Sequence, residues 1–152
     1  MRFACGHGQS IEAMRTIANP ISVHKFGGAA LANADAIRAV VGILSATSGE
    51  RVVVTSALAG VTDLLLNIAR AAANGDLAAA HAQADALFER HMSVAKSIDG
   101  AAAVTHAYID ELFKELKKLA DQVSRAGELT AQMSDLIISR GERLAARIVG
   151  DA

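Results

Sequence analysis

Lys25-Phe26-Gly27-Gly28 sets a lysine beside two glycines at the end of an apolar, strand-like run. Glycines in such a place let the backbone approach a ligand closely and turn its N–H groups toward it. A lysine ammonium beside them can neutralise charge that develops as a phosphoryl group is transferred. In α/β sheets, ligands bind beyond the carboxyl ends of strands, which is where this segment falls. A plain strand-to-helix turn with a solvated Lys25 fits the same residues. The segment is neither a Walker A loop nor a GxGxxG fingerprint.

A second candidate is Ser56-Ala57-Leu58-Ala59-Gly60-Val61-Thr62-Asp63. It offers two hydroxyls, a glycine turn at Ala59-Gly60 and a helix amino terminus, which favours phosphate or carboxylate. The plainer alternative makes Thr62 a helix cap and Ser56 a strand terminator. Two such loops at adjacent strand ends would line one crevice.

The third is Ser139-Arg140-Gly141-Glu142-Arg143 within a helical pattern. A mid-helix glycine costs about 1 kcal/mol against alanine and often marks close backbone approach. Glu142 lies off the apolar stripe of Met133, Ile137, Leu144 and Ile148. It suits an ammonium group in a cleft, or equally a solvated position beside Arg143. The five histidines make no metal set: His81 and His91 are ten apart, and Cys5-x-His7 lies in a lead-in segment. No Ser-His-Asp or Cys-His arrangement is suggested.

These segments need elements to hold them. Residues 1–20 read as a lead-in with a short helix near Ile11–Ile17. Ile21–Phe26 reads as a strand between Pro20 and Gly27. A helix follows from Asn33, its N-cap, with Ile37, Val40, Val41 and Leu44 as one stripe, and Ser48-Gly49 ends it. Arg51–Ala57 reads as a second strand. Its three consecutive valines predict burial on both faces of a parallel sheet. Strand, helix and strand make a βαβ unit.

Thr62 is expected to cap a helix to about Ala73, with Leu65, Ile68, Ala69 and Ala72 inward and Asn74–Asp76 as its stop. Three more helices are expected over about Leu77–Ser97, Ala102–Arg125 and Thr130–Val149. The middle one has Tyr108, Leu112, Leu116, Leu119 and Val123 as its stripe, and Gly127 follows it. A two-stranded sheet is not stable alone. Further strands beyond Ala152 are the favoured explanation, over cover by these helices alone.

Composition bounds the function. The chain has 152 residues, 52% hydrophobic and 20% charged, which affords a core and argues against disorder. A net charge of -1 with scattered basic residues gives no case for nucleic acid. Aromatics at 3% argue against a stacking platform, and abundant alanine suggests closely packed helices. One cysteine excludes an internal disulfide and fits a reducing compartment. No apolar run reaches the roughly 18 residues of a membrane span. The start reads poorly as a signal peptide, so a soluble cytoplasmic protein is expected.

Taken together, VHKFGG at Val23–Gly28, VVVTSALAGVTD at Val52–Asp63 and SDLIISRGERLAAR at Ser134–Arg147 resemble, in order and spacing, three motifs of the aspartokinases within the amino acid kinase superfamily. The likeness covers about Ser22–Asp151. It implies an α/β fold, part of an αβα sandwich, with few parallel strands followed by a helix-rich segment. Residues 21–152 would be the amino-terminal portion of that kinase domain. By resemblance, Lys25 would contact the transferred phosphoryl group. Gly27, Gly28, Ser56 and Gly60 would serve the phosphates, and Thr62 and Glu142 the substrate aspartate. The reaction would use ATP, with Mg²⁺ bridging its phosphates, to make 4-phospho-L-aspartate on the route to lysine and threonine.

Two departures qualify the resemblance. Ala29-Ala30 stands where the family carries two hydroxyl residues. The family's later segment, which supplies most of the nucleotide pocket, has no counterpart here. The isolated chain is therefore expected to be inactive and to self-associate as a homo-oligomer. The rival readings are another small-molecule kinase of the superfamily and a degenerate kinase half serving as an interaction module.

Overall fold

The computed structural model describes residues 21–98 and 103–152. The lead-in helix near Ile11–Ile17 and the Cys5-x-His7 pair lie outside them. Two strands, β1 (Ser22–Phe26) and β2 (Arg51–Thr55), pair in parallel with Ser22 opposite Arg51 and Phe26 opposite Thr55. Between them runs α1 (Ala34–Ala46), so the expected βαβ unit is present. Asn33 caps α1 as its type predicts, its side-chain oxygen accepting from the Ala36 N–H at 2.9 Å.

The remaining chain is helical: α2 (Val61–Ala73), α3 (Leu77–Lys96), α4 (Ala103–Ala126) and α5 (Ala131–Gly150). Asp76 caps α3 and Thr130 caps α5, each accepting from the N–H three residues on. The α2 helix packs against α3, α4 and α5. Its expected inner face, Leu65, Ile68, Ala69 and Ala72, is wholly buried. Each large apolar side chain so buried contributes about 1.5–3 kcal/mol. Ala80, Ala84, Ala120 and Ala145 are buried too, small contact residues that let helices lie close. On α4 the buried face centres on Ile109, Leu112, Phe113, Leu116 and Val123, with Tyr108 and Leu119 at its margins.

Two expectations need correction. The strand stops at Thr55, and its valines are not buried on both faces. Partners in a parallel ladder share a face. Val53 and Thr55 look toward α1 and α5 across a half-open groove of about 410 Å³. Val23, Lys25, Val52 and Val54 share the other face, where the three valines are 69%, 49% and 44% exposed. Nothing among the described residues covers that face. Hydropathy records what a strand can bury, not whether a covering layer is present.

Candidate active site

The first loop leaves the sheet at Phe26. Gly27 is extended, and Gly28–Leu31 form one 3-10 turn whose buried Leu31 anchors it in the core. A Cβ on Gly28 would lie 3.1 Å from the Ala57 carbonyl oxygen and 3.5 Å from Ala59 Cα. The absent side chain thus lets the first loop rest on the second. Gly27 meets nothing within 4 Å, so the close approach belongs to Gly28 alone.

The second loop is held at its start by the Ser56 N–H, which donates to the Phe26 carbonyl at 3.0 Å and extends the ladder by one bond. Ala57 and Leu58 are buried. The Val61 N–H then donates to Leu58 O at 3.0 Å, with Gly60 at φ 75° and ψ −2°. A positive φ at the third residue of such a turn is type II geometry, for which glycine is suited. Gly60 is also the N-cap of α2, and no side chain caps it. The expectation for Thr62 is corrected accordingly. The helix starts at Val61, and Thr62 is an exposed residue inside its first turn.

In the third segment, Gly141 is buried against α2. A Cβ there would lie 2.9 Å from Ala57 Cβ, 3.0 Å from Val61 Cγ1 and 3.1 Å from Leu65 Cδ1. Ile137, Leu144 and Ile148 are buried and Met133 half-buried, so the α5 stripe is as read, and Glu142 and Arg143 are exposed. Arg140 turns toward α4, donating to Glu115 at 3.1 Å and to Leu136 O at 2.9 Å.

Ala57–Val61 is therefore a hub where Gly28 and Gly141 meet. Lys25 lies on the uncovered sheet face, opposite Val54. The side chains of Lys25, Thr62 and Glu142 make no hydrogen bond or ion pair among the described residues. The loops are brought together, while these side chains remain unengaged. Sequence reasoning missed Arg90 of α3, whose Nη2 donates to Ala59 O at 2.8 Å. A contact across 31 residues leaves no local signal in the sequence. His91 beside it is buried, its Nδ1 on Leu87 O at 2.8 Å and its ring against Phe113. Burial holds its pKa below the usual histidine value, and the Arg90 charge adds to this, against the opposing bond to Leu87. His81 pairs with Asp121 at 2.8 Å. No group of three His, Cys, Asp or Glu residues is placed to hold a metal among the described residues, and none of the described helices is long and apolar enough to cross a membrane.

The model of the amino acid kinase family matches residues 20–152. The chain belongs to the amino acid kinase family. Within it, the similarity is to aspartokinases. Over 78 residues the chain is 38% identical to the chloroplastic bifunctional aspartokinase/homoserine dehydrogenase 2 of Zea mays, covering 51% of this chain and 8% of that protein. Over 49 residues it is 53% identical to a Haemophilus influenzae protein that carries the name of an inactive aspartokinase 3, covering 32% of this chain and 40% of that one. Crystal structures of E. coli aspartokinase III superpose on the family member described here. The complex with lysine and aspartate, in the T-state, gives a TM-score of 0.75 at 26% identity over 86% of this chain. The complex with aspartate and ADP, in the R-state, gives 0.74 at 25% over 87%. The chain spans 28% of the length of aspartokinase III in both.

Proposed function

We propose that residues 21–152 form the amino-terminal portion of an aspartokinase domain, the part that meets aspartate and the phosphates of ATP. The observation that carries this reading is the convergence of three segments on one loop, with Gly28 and Gly141 both seated against Ala57. Backbone amides near Gly27, Gly28 and Gly60 would receive phosphate oxygens, since the α2 amino terminus carries no side-chain cap. Ser56 would add a hydroxyl donor. The Lys25 ammonium would stabilise charge on the transferred group. Thr62 would meet the substrate carboxylate, and Glu142 would pair with the α-ammonium of aspartate.

In the reaction, a side-chain carboxylate oxygen of aspartate attacks the γ-phosphorus. The bond to the β–γ bridging oxygen breaks, and ADP leaves with that electron pair. Magnesium, expected with ATP by the resemblance, would neutralise further charge on the phosphates. The product belongs to cytoplasmic synthesis of lysine and threonine.

Ala29 and Ala30 supply none of the hydroxyls the aspartokinase pattern has there, and nothing among the described residues covers one sheet face. For the 152-residue chain we therefore expect ADP and aspartate binding without turnover. Calorimetry with ADP and aspartate tests the binding, and hydroxamate formation from aspartate, ATP and hydroxylamine tests the turnover. Heats for neither ligand would favour the second reading, an interaction module, for which the exposed Val23, Val52 and Val54 speak. Hydroxamate at an enzymatic rate would refute the expected inactivity.

A further inference from the structure

The Leu58–Val61 turn has a central peptide joining Ala59 to Gly60. Type I and type II turns differ chiefly by a flip of that peptide. Glycine at the third position tolerates both, so Gly60 alone does not choose between them. In a trans peptide the C=O and the following N–H point in opposite directions. Whatever holds the Ala59 carbonyl therefore aims the Gly60 amide. Arg90 Nη2 donates to that carbonyl at 2.8 Å, from a partly buried position on α3. The bond is charge-assisted, of the stronger class. Its base is firm, since α3 packs closely on α2 and the next residue, His91, is fully buried.

We infer that Arg90 is a positioning residue that locks the Ala59–Gly60 peptide in its type II orientation and so presents the Gly60 N–H, not a carbonyl, to an anion at the start of α2. Release of the lock lets the peptide flip, which replaces a donor by an acceptor where a phosphate would sit. The anion's identity rests on the proposed function; the lock does not.

The test uses the full ¹⁵N-labelled chain. Arg90→Met keeps the aliphatic stem and removes the donors, and Arg90→Lys restores one donor. Residual dipolar couplings report the Gly60 N–H direction, and amide exchange reports the Val61 bond to Leu58. In Arg90→Met the Gly60 coupling should leave its wild-type value and Val61 exchange should accelerate, while couplings along α4 and α5 stay unchanged. Arg90→Lys should recover most of both. ADP affinity, read from shift titration, should fall on the order of tenfold in Arg90→Met, the scale of one lost charged-group bond. An unchanged Gly60 vector in Arg90→Met overturns the lock. A wild-type chain that binds no ADP overturns the phosphate reading instead, and the Gly60 vector still decides the role of Arg90. If Arg90→Met does not fold, Arg90→Lys decides: a Gly60 vector far from wild type despite the retained donor contradicts the inference, and a near-wild-type vector supports it.

Discussion

Gly141 lies against Ala57 so closely that a methyl group on the glycine would sit 2.9 Å from the alanine Cβ. This contact sets the separation of α5 and α2 and seats the third sequence motif on the second. Gly141→Ala should destabilise the chain. Overpacking costs about 1–3 kcal/mol, against roughly 1 kcal/mol gained from helix propensity. Urea denaturation measures the balance, and a stabilised variant would show that α5 can shift freely.

Gly60 presents the opposite case. Nothing lies within 4 Å of its added Cβ, yet its φ is 75°. Gly60→Ala should therefore lose about 1–2 kcal/mol from backbone strain alone. Gly60→Asn should lose less, because asparagine tolerates that region. Thermal melts of the pair give the ranking. Gly27→Ala, with open space and no positive φ, should fold like wild type.

Burial of His91 makes stability depend on pH. Its folded pKa lies below the ordinary 6.5. As pH falls through 6.5, the unfolded ring takes up a proton before the folded one does, so the unfolded state gains. His91 thus withholds nothing at neutral pH and destabilises on the acid side. Denaturant midpoints should fall below that value, and His91→Leu should remove this part of the slope. Equal slopes in the two proteins would contradict it.

The sheet face left uncovered among the described residues carries a prediction of its own. Val23, Val52 and Val54 lie in one exposed apolar strip on a two-stranded sheet. Such strips promote association. Light scattering at micromolar concentration should show species larger than a monomer, and Val52→Lys should reduce them. A strictly monomeric wild type would remove the argument.

Much of this arrangement was legible from residue type and spacing. Asn33 announces α1 because its short side chain reaches the Ala36 amide. Gly141 announces close approach because a helix does not otherwise tolerate glycine without cost. Other features were not legible. Thr62 looked like a cap, but the left-handed Gly60 starts α2 one residue earlier. Val52–Val54 looked doubly buried, since hydropathy cannot report whether a covering layer is present. Arg90 was invisible because its partner is set by the packing of α3 on α2, not by neighbouring sequence.

On the proposed function, the first loop, the second loop and the α2 amino terminus form one phosphate site. Titration of ADP into the ¹⁵N-labelled chain tests it most directly. Concerted amide shifts at Gly27, Gly28, Gly60 and Thr62 with one affinity are expected. Shifts confined elsewhere, such as the groove beside Arg51 and Val53, or none at millimolar ADP, would contradict it.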